Sequence, residues 1–209
     1  MYSDTQKTGI RKTLGILLGI IMVMLSLIFL NYVTRDVALS AEQAAKLGYI
    51  RFEQPRNITV PRLVTEQDEQ ILPTHFQGQW DLLYFGFTAC PDICPTTLAV
   101  LNQALSTVDK PPRVHLVSVD PEQDTPAQLA RYLGGFNPDF LGVTGSHDQV
   151  TQLATQLNVA FGKVPGAEPG SYTVDHTGSI VVLDETGRYA GFIKAPHQPG
   201  QLQQIIAGL

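Results

Sequence analysis

Apolar positions along the chain fall into two regimes. Residues 14–30, LGILLGIIMVMLSLIFL, form an unbroken run of 17 without a charge. Widened to residues 13–33 the run spans roughly 31 Å at about 1.5 Å per residue, one bilayer core. Lys7, Arg11 and Lys12 precede it, and Arg35 and Asp36 follow. That basic excess predicts a single-pass anchor over 13–33. Residues 1–12 then lie in the cytoplasm and the rest crosses a bacterial-type inner membrane, into the periplasm or outside. A cleaved signal peptide is the rival reading. Its apolar core is usually shorter, about 7–15 residues, but Ala38, Ser40 and Ala41 are small enough to offer a cleavage site. Either reading places the chain from about residue 36 onward in an oxidising compartment.

Beyond the anchor, short apolar runs alternate with helical stripes. Residues 34–56 read as a tether, with AEQAAKLGY able to make a short helix before Pro55. Residues 57–64 read as a strand or hairpin arm interrupted by Pro61. The run DLLYFGF at 81–87 predicts a buried central strand, and VHLVSV at 114–119 another. Leu98, Leu101, Leu105 and Val108 share one face of a helix that starts near Pro95. Asp124-Thr125-Pro126 opens a second helix, with Asp124 as the capping residue, and Gly134-Gly135 closes it. A short strand is expected at 140–143. Ser146-His147-Asp148-Gln149 has capping-box spacing and opens a helix to Leu157. Pro165, Gly166, Pro169 and Gly170 make 162–170 a loop. Residues 179–183 and 189–193 flank Glu185-Thr186-Gly187 as a hairpin, and 198–209 is a final helix. The alternation, closed by a hairpin and a helix, predicts a three-layer α/β sandwich over residues 57–209.

Charge changes the picture little. The chain of 209 residues carries a net charge of −5 with a pI near 5.4, which argues against a nucleic-acid partner. Four basic and two acidic residues lie in the first 36, leaving an exported part with ten basic and 17 acidic residues. Solubility is reason enough for that balance.

Cysteine is scarce: two residues, both in Cys90-Pro91-Asp92-Ile93-Cys94-Pro95, between the central strand and its helix. A helix N-terminus favours thiolate, and thiolates both exchange with disulfides and bind soft metals. Redox exchange and metal binding therefore share one geometry. Two cysteines cannot complete a four-thiolate site, so a metal needs a further ligand, and histidine is the leading type. Five histidines compete. His115 alternates within an apolar strand, His147 opens a helix, His75 lies in a polar segment, and His197 sits between prolines. His176 ranks first, because it follows the Gly/Pro segment beside Asp175. Asp120, at the end of a strand, is weighed as a carboxylate orienting His176 against a plain turn-former with Pro121. Trp80, Phe85 and Phe87 read as packing.

With Tyr84-Phe85-Gly86-Phe87-Thr88, Cys90-Pro91-Asp92-Ile93-Cys94-Pro95-Thr96-Thr97-Leu98, Val117-Ser118-Val119-Asp120-Pro121-Glu122, Asp124-Thr125-Pro126 and Val174-Asp175-His176-Thr177 in this order, the chain resembles the Sco/SenC family of membrane-anchored copper proteins. The likeness runs over about residues 57–207. Ala89 and Val181-Val182-Leu183 are small departures from its pattern. The resemblance implies a thioredoxin-like sandwich with a central mixed sheet. It implies Cys90, Cys94 and His176 as ligands of copper, Cu(I) or Cu(II). It also implies help in assembling the dinuclear copper centre of cytochrome c oxidase. The expected partners are the copper-bearing oxidase subunit, a copper donor or thiol reductant, and the membrane. The alternative is a thiol–disulfide oxidoreductase using the redox pair Cys90 and Cys94 without copper. A peroxidase is a distant third, since no arginine lies close in sequence to the cysteines.

Overall fold

The structure, a computed structural model, describes the backbone of residues 4–33, 39–166, 168 and 170–209. The side chains of 4–13 and 31–33 are outside the description, and so are the first residues of the expected cytoplasmic segment, residues 34–38 of the expected tether and the candidate cleavage residue Ala38. The chain divides into two compact units, residues 1–37 and 38–209.

The first unit holds α1 (Asp4–Val33), 30 residues long. Its described side chains, residues 14–30, are all exposed. Among the described residues no helix is long and apolar enough to cross a membrane.

The second unit runs α2 (Ala41–Lys46), β1 (Tyr49–Arg56), β2 (Val64–Thr65), a 3-10 turn (Pro73–Phe76), β3 (Asp81–Gly86), α3 (Ile93–Leu105), β4 (Arg113–Ser118), α4 (Pro126–Gly134), β5 (Leu141–Thr144), α5 (His147–Gln156), β6 (Phe161–Pro165), β7 (Tyr172–His176), β8 (Ile180–Leu183), β9 (Tyr189–Ile193) and α6 (Pro199–Ala207). Seven strands make one mixed sheet in the order β1-β9-β8-β3-β4-β5-β2. Strands β3, β4 and β5 run parallel, and the remaining pairs are antiparallel. The parallel core needs crossovers, which α3 and α4 supply. All of β3 and β8 is buried, and α3 packs beside α6. Burial on both faces explains why β3 reads as a continuous apolar run rather than an alternating one. At the start of β3, fully buried Asp81 takes two hydrogen bonds from Arg113, its register partner on β4, and one from His115. A carboxylate without solvent needs such partners.

Three expectations are corrected. Residues 39–56, read as part of a tether, are ordered: Ser40 and Gln43 form a capping box on α2, and β1 pairs with β9 at the sheet edge. The strand expected at 57–64 is displaced, since only Val64–Thr65 pairs, with β5. Pro61 lacks a ladder donor, which fits the break. The first part of the loop expected at 162–170 is instead strand: residues 162–165 belong to β6, which pairs with β7 in its own two-stranded sheet. Near its tip, residues 167 and 169 lie outside the description.

Candidate metal centre

Both cysteines sit where β3 hands over to α3. Helix α3 begins at Ile93, two residues before Pro95, so Cys94 lies in its first turn. The N-cap residue Asp92 makes no side-chain cap; instead the Cys94 N–H donates to Cys90 Sγ at 3.4 Å. A sulfur thus does the work of a capping oxygen, next to the positive end of a helix. The approach loop is fixed by Asp124, which is 1% exposed. Its carboxylate accepts from Thr88 N–H at 3.1 Å, Thr88 Oγ1 at 2.6 Å and Ser118 Oγ at 2.7 Å. Asp124 therefore does not cap α4. That task falls to Thr125, whose hydroxyl accepts from Gln128 N–H, with Pro126 opening the helix.

His176 ends β7 and pairs with Phe161 across the hairpin. Its Nε2 lies 3.6 Å from Cys94 Sγ, and Nδ1 lies 3.3 Å from the Thr177 carbonyl. Donation from Nδ1 to that carbonyl leaves the Nε2 lone pair turned to the sulfur. The ring is walled by edge contacts with Tyr84 at 5.9 Å and Phe87 at 6.2 Å. The Tyr84 hydroxyl donates to Cys94 Sγ across 3.9 Å. Tyr84 and Gly86 are two apart on β3 and so share the face that meets Cys94. Phe87, read as packing, also touches the site, and Tyr84 was missed, because a tyrosine inside a buried strand reads as core.

The donor atoms of Cys90, Cys94 and His176 all lie within 4.8 Å of one another. With metal–sulfur bonds of about 2.3 Å and metal–nitrogen bonds of about 2.0 Å, three donors around one ion stand about 4 Å apart. A small contraction completes such a set, and two sulfurs with one imidazole suit a soft ion such as copper(I). Both cysteines are free thiols here, Cys94 fully buried and Cys90 9% exposed. Burial, helped by the Cys90 contact, pushes the Cys94 thiol up to about 12. Burial lowers the His176 pKa, against the pull of the Thr177 carbonyl and Asp175, so the ring is a neutral donor at pH 7. A metal must displace the thiol proton to bind.

The other candidates lie elsewhere. His115 is fully buried and bonds Asp81 through Nε2 at 2.8 Å. His75 stacks edge-on against Phe76 and His115. His147 is exposed at the start of α5, and His197 bonds the Gly178 carbonyl. Asp120 is no partner of His176. Its backbone carbonyl closes the turn to Gln123 and Asp124, and both its carboxylate oxygens accept from the Tyr172 hydroxyl. Asp175 is exposed.

Comparison with known proteins gives one family and close company. The SCO1/SenC family model matches residues 55–209. A putative copper-binding protein of Stutzerimonas stutzeri is 36% identical over 159 residues, covering 73% of this chain and 77% of that protein. The human mitochondrial protein SCO1 homolog is 33% identical over 177 residues; the match covers 79% of this chain but 58% of the human one. Among solved structures, copper-bound ScoI from Arabidopsis thaliana superposes with a TM-score of 0.65 at 30% identity, over 71% of this chain and 96% of that one.

Proposed function

The chain belongs to the SCO1/SenC family, and from that membership we propose that it is a copper-binding metallochaperone that assists assembly of the dinuclear copper centre of cytochrome c oxidase. The observation that carries the reading is the convergence of Cys90, Cys94 and His176 within 4.8 Å. Copper is cargo here. Two thiolates and one imidazole satisfy copper(I) without crowding it, so the ligands of a partner can replace them one at a time. Copper then leaves without changing oxidation state. The protons released by the incoming partner thiols return to Cys90 and Cys94.

Residues 13–33, within α1, are the membrane anchor in this proposal. Its exposed, uncharged stretch at residues 14–30 supports that reading, as does the flanking charge in the sequence. The copper-binding domain then lies outside the cytoplasm. The partners are the copper-bearing oxidase subunit and a copper donor or thiol reductant.

The second reading, thiol–disulfide exchange with an oxidised partner, draws on the same free cysteine pair. Both readings need the thiolate, so the burial of Cys94 does not separate them; the placement of His176 beside Cys94, which dithiol exchange does not require, favours copper. The test separates the two. Copper(I)-loaded chain is mixed with the metal-free, dithiol copper domain of an oxidase subunit, and the metal-free chain with the disulfide form of that domain. Copper appearing on the acceptor supports delivery. Copper retained by the chain, together with reduction of the partner disulfide, supports exchange.

A further inference from the structure

The third donor rides on a separate piece of structure. His176 belongs to the β6–β7 hairpin, which is its own two-stranded sheet and, among the described residues, joins no strand of the main one. What ties that hairpin down therefore governs where the imidazole sits. At its base, Thr177 and Ala160 close the two strands on each other, and Phe161 meets the His147 ring of α5 at 5.6 Å, a first attachment to the domain. Towards its far end is a second attachment. The Tyr172 hydroxyl donates to both carboxylate oxygens of Asp120, at 3.1 and 3.0 Å. Asp120 is 3% exposed and sits in the turn after β4. From β6, Lys163 lies over the Tyr172 ring at 4.4 Å and pairs with Glu122 of the same turn at 2.7 Å. Its ammonium is also 3.9 Å from Asp120.

Strand alternation connects this attachment to the metal site. Tyr172, Val174 and His176 are spaced by two, so they share one face of β7. Val174 between them is buried and His176 half-buried; Tyr172 at the outer end is 37% exposed, its hydroxyl turned to Asp120, and Thr173 and Asp175 on the other face are exposed. That face of β7 is thus tied to the domain at both ends, by the Tyr172 hydroxyl on Asp120 and by His176 beside Cys94.

The geometry points to Tyr172 as a positioning residue for copper binding: its hydroxyl, clasped to Asp120 with Lys163 and Glu122 beside it, holds the hairpin down so that His176 stands ready over the two cysteines. The inference rests on the three-donor reading of the site. Fixing a ligand before the metal arrives removes the ordering cost from the binding step. Loss of groups that orient a metal ligand weakens affinity by about 10–100-fold. Tyr172→Phe removes only the hydroxyl and leaves the ring for Lys163.

The test is competition for copper(I) against a chelator, with the full chain in detergent, for the unmodified protein, Tyr172→Phe, His176→Ala and the double variant. The expected result is affinity about tenfold weaker in Tyr172→Phe, with the double variant binding no more weakly than His176→Ala alone. The reduction potential of the Cys90–Cys94 pair should not move in Tyr172→Phe, whereas general damage to the fold would shift it. Unchanged affinity in Tyr172→Phe overturns the inference. So does an equal loss when His176 is already absent, because the hydroxyl would then act without the histidine. Absence of copper binding by the unmodified chain brings down the copper reading itself, and the inference with it.

Discussion

At the scale of single residues, the site depends on close approaches that the sequence marks unevenly. Cys90 and Cys94 were legible from their place between a buried strand and a helix. His176 led five candidates on pattern and became specific through the family resemblance. Tyr84, Asp124 and Tyr172 were not legible, because a tyrosine in a strand, an aspartate before Thr-Pro and a tyrosine in a Gly/Pro-rich stretch each have a commoner explanation. Gly86 shows how tight the fit is. A methyl group there would meet Cys94 Sγ at 3.0 Å, Leu116 Cδ1 at 3.1 Å and Tyr84 Cε1 at 3.2 Å. All three neighbours are fully buried, so none can retreat into solvent. Gly86→Ala should cost about 1–3 kcal/mol by overpacking and weaken copper(I) binding by displacing the Cys94 sulfur. Denaturant titration and chelator competition on the variant read the two effects separately.

At the scale of elements, legibility followed burial. Strands β3, β4 and β8 announced themselves because both their faces are covered. The β6–β7 hairpin did not, since residues 162–165 are all exposed and carry no apolar alternation. Strand β1 was hidden for another reason: it is an edge strand, little buried beyond Tyr49, with Pro55 near its end. The β8–β9 hairpin was legible in its turn residues, and Gly187 takes the left-handed φ of 77° that its turn requires. Asp184 braces that turn. Burial raises its carboxyl pKa, but hydrogen bonds from Thr186 and Arg188 more than offset this, so the net shift is downward. A carboxylate whose pKa is lower folded than unfolded stabilises the fold above its unfolded pKa. That stability is lost as pH falls through the folded value. Asp184→Asn should therefore lower stability at pH 7 by about 1–2 kcal/mol, and the gap to the unmodified chain should close below about pH 4. Melting curves across that range would show it; a gap independent of pH would contradict the assignment.

At the scale of the whole molecule, the alternating pattern was enough for an α/β domain, and the resemblance supplied the mixed sheet. Where the domain begins was misjudged. The compact unit starts at residue 38, and β1 closes the sheet edge against β9, burying Ala44 and Tyr49 on the way. A chain starting at residue 57 should melt well below one starting at residue 39, since it exposes the β9 edge and the apolar surface beneath α2. Equal melting temperatures would return residues 39–56 to the status of a tether. The central claim is that two thiolates and one imidazole of this chain form a single copper(I) site. It is tested most directly by titrating copper(I) into the reduced full chain in detergent, under anaerobic conditions and against a competing chelator, with His176→Ala and the Cys90→Ser/Cys94→Ser double variant alongside. The account predicts one tightly held copper per chain, weakened in His176→Ala and abolished in the double variant. Failure of the unmodified chain to compete for copper, or undiminished binding without both cysteines, would contradict it.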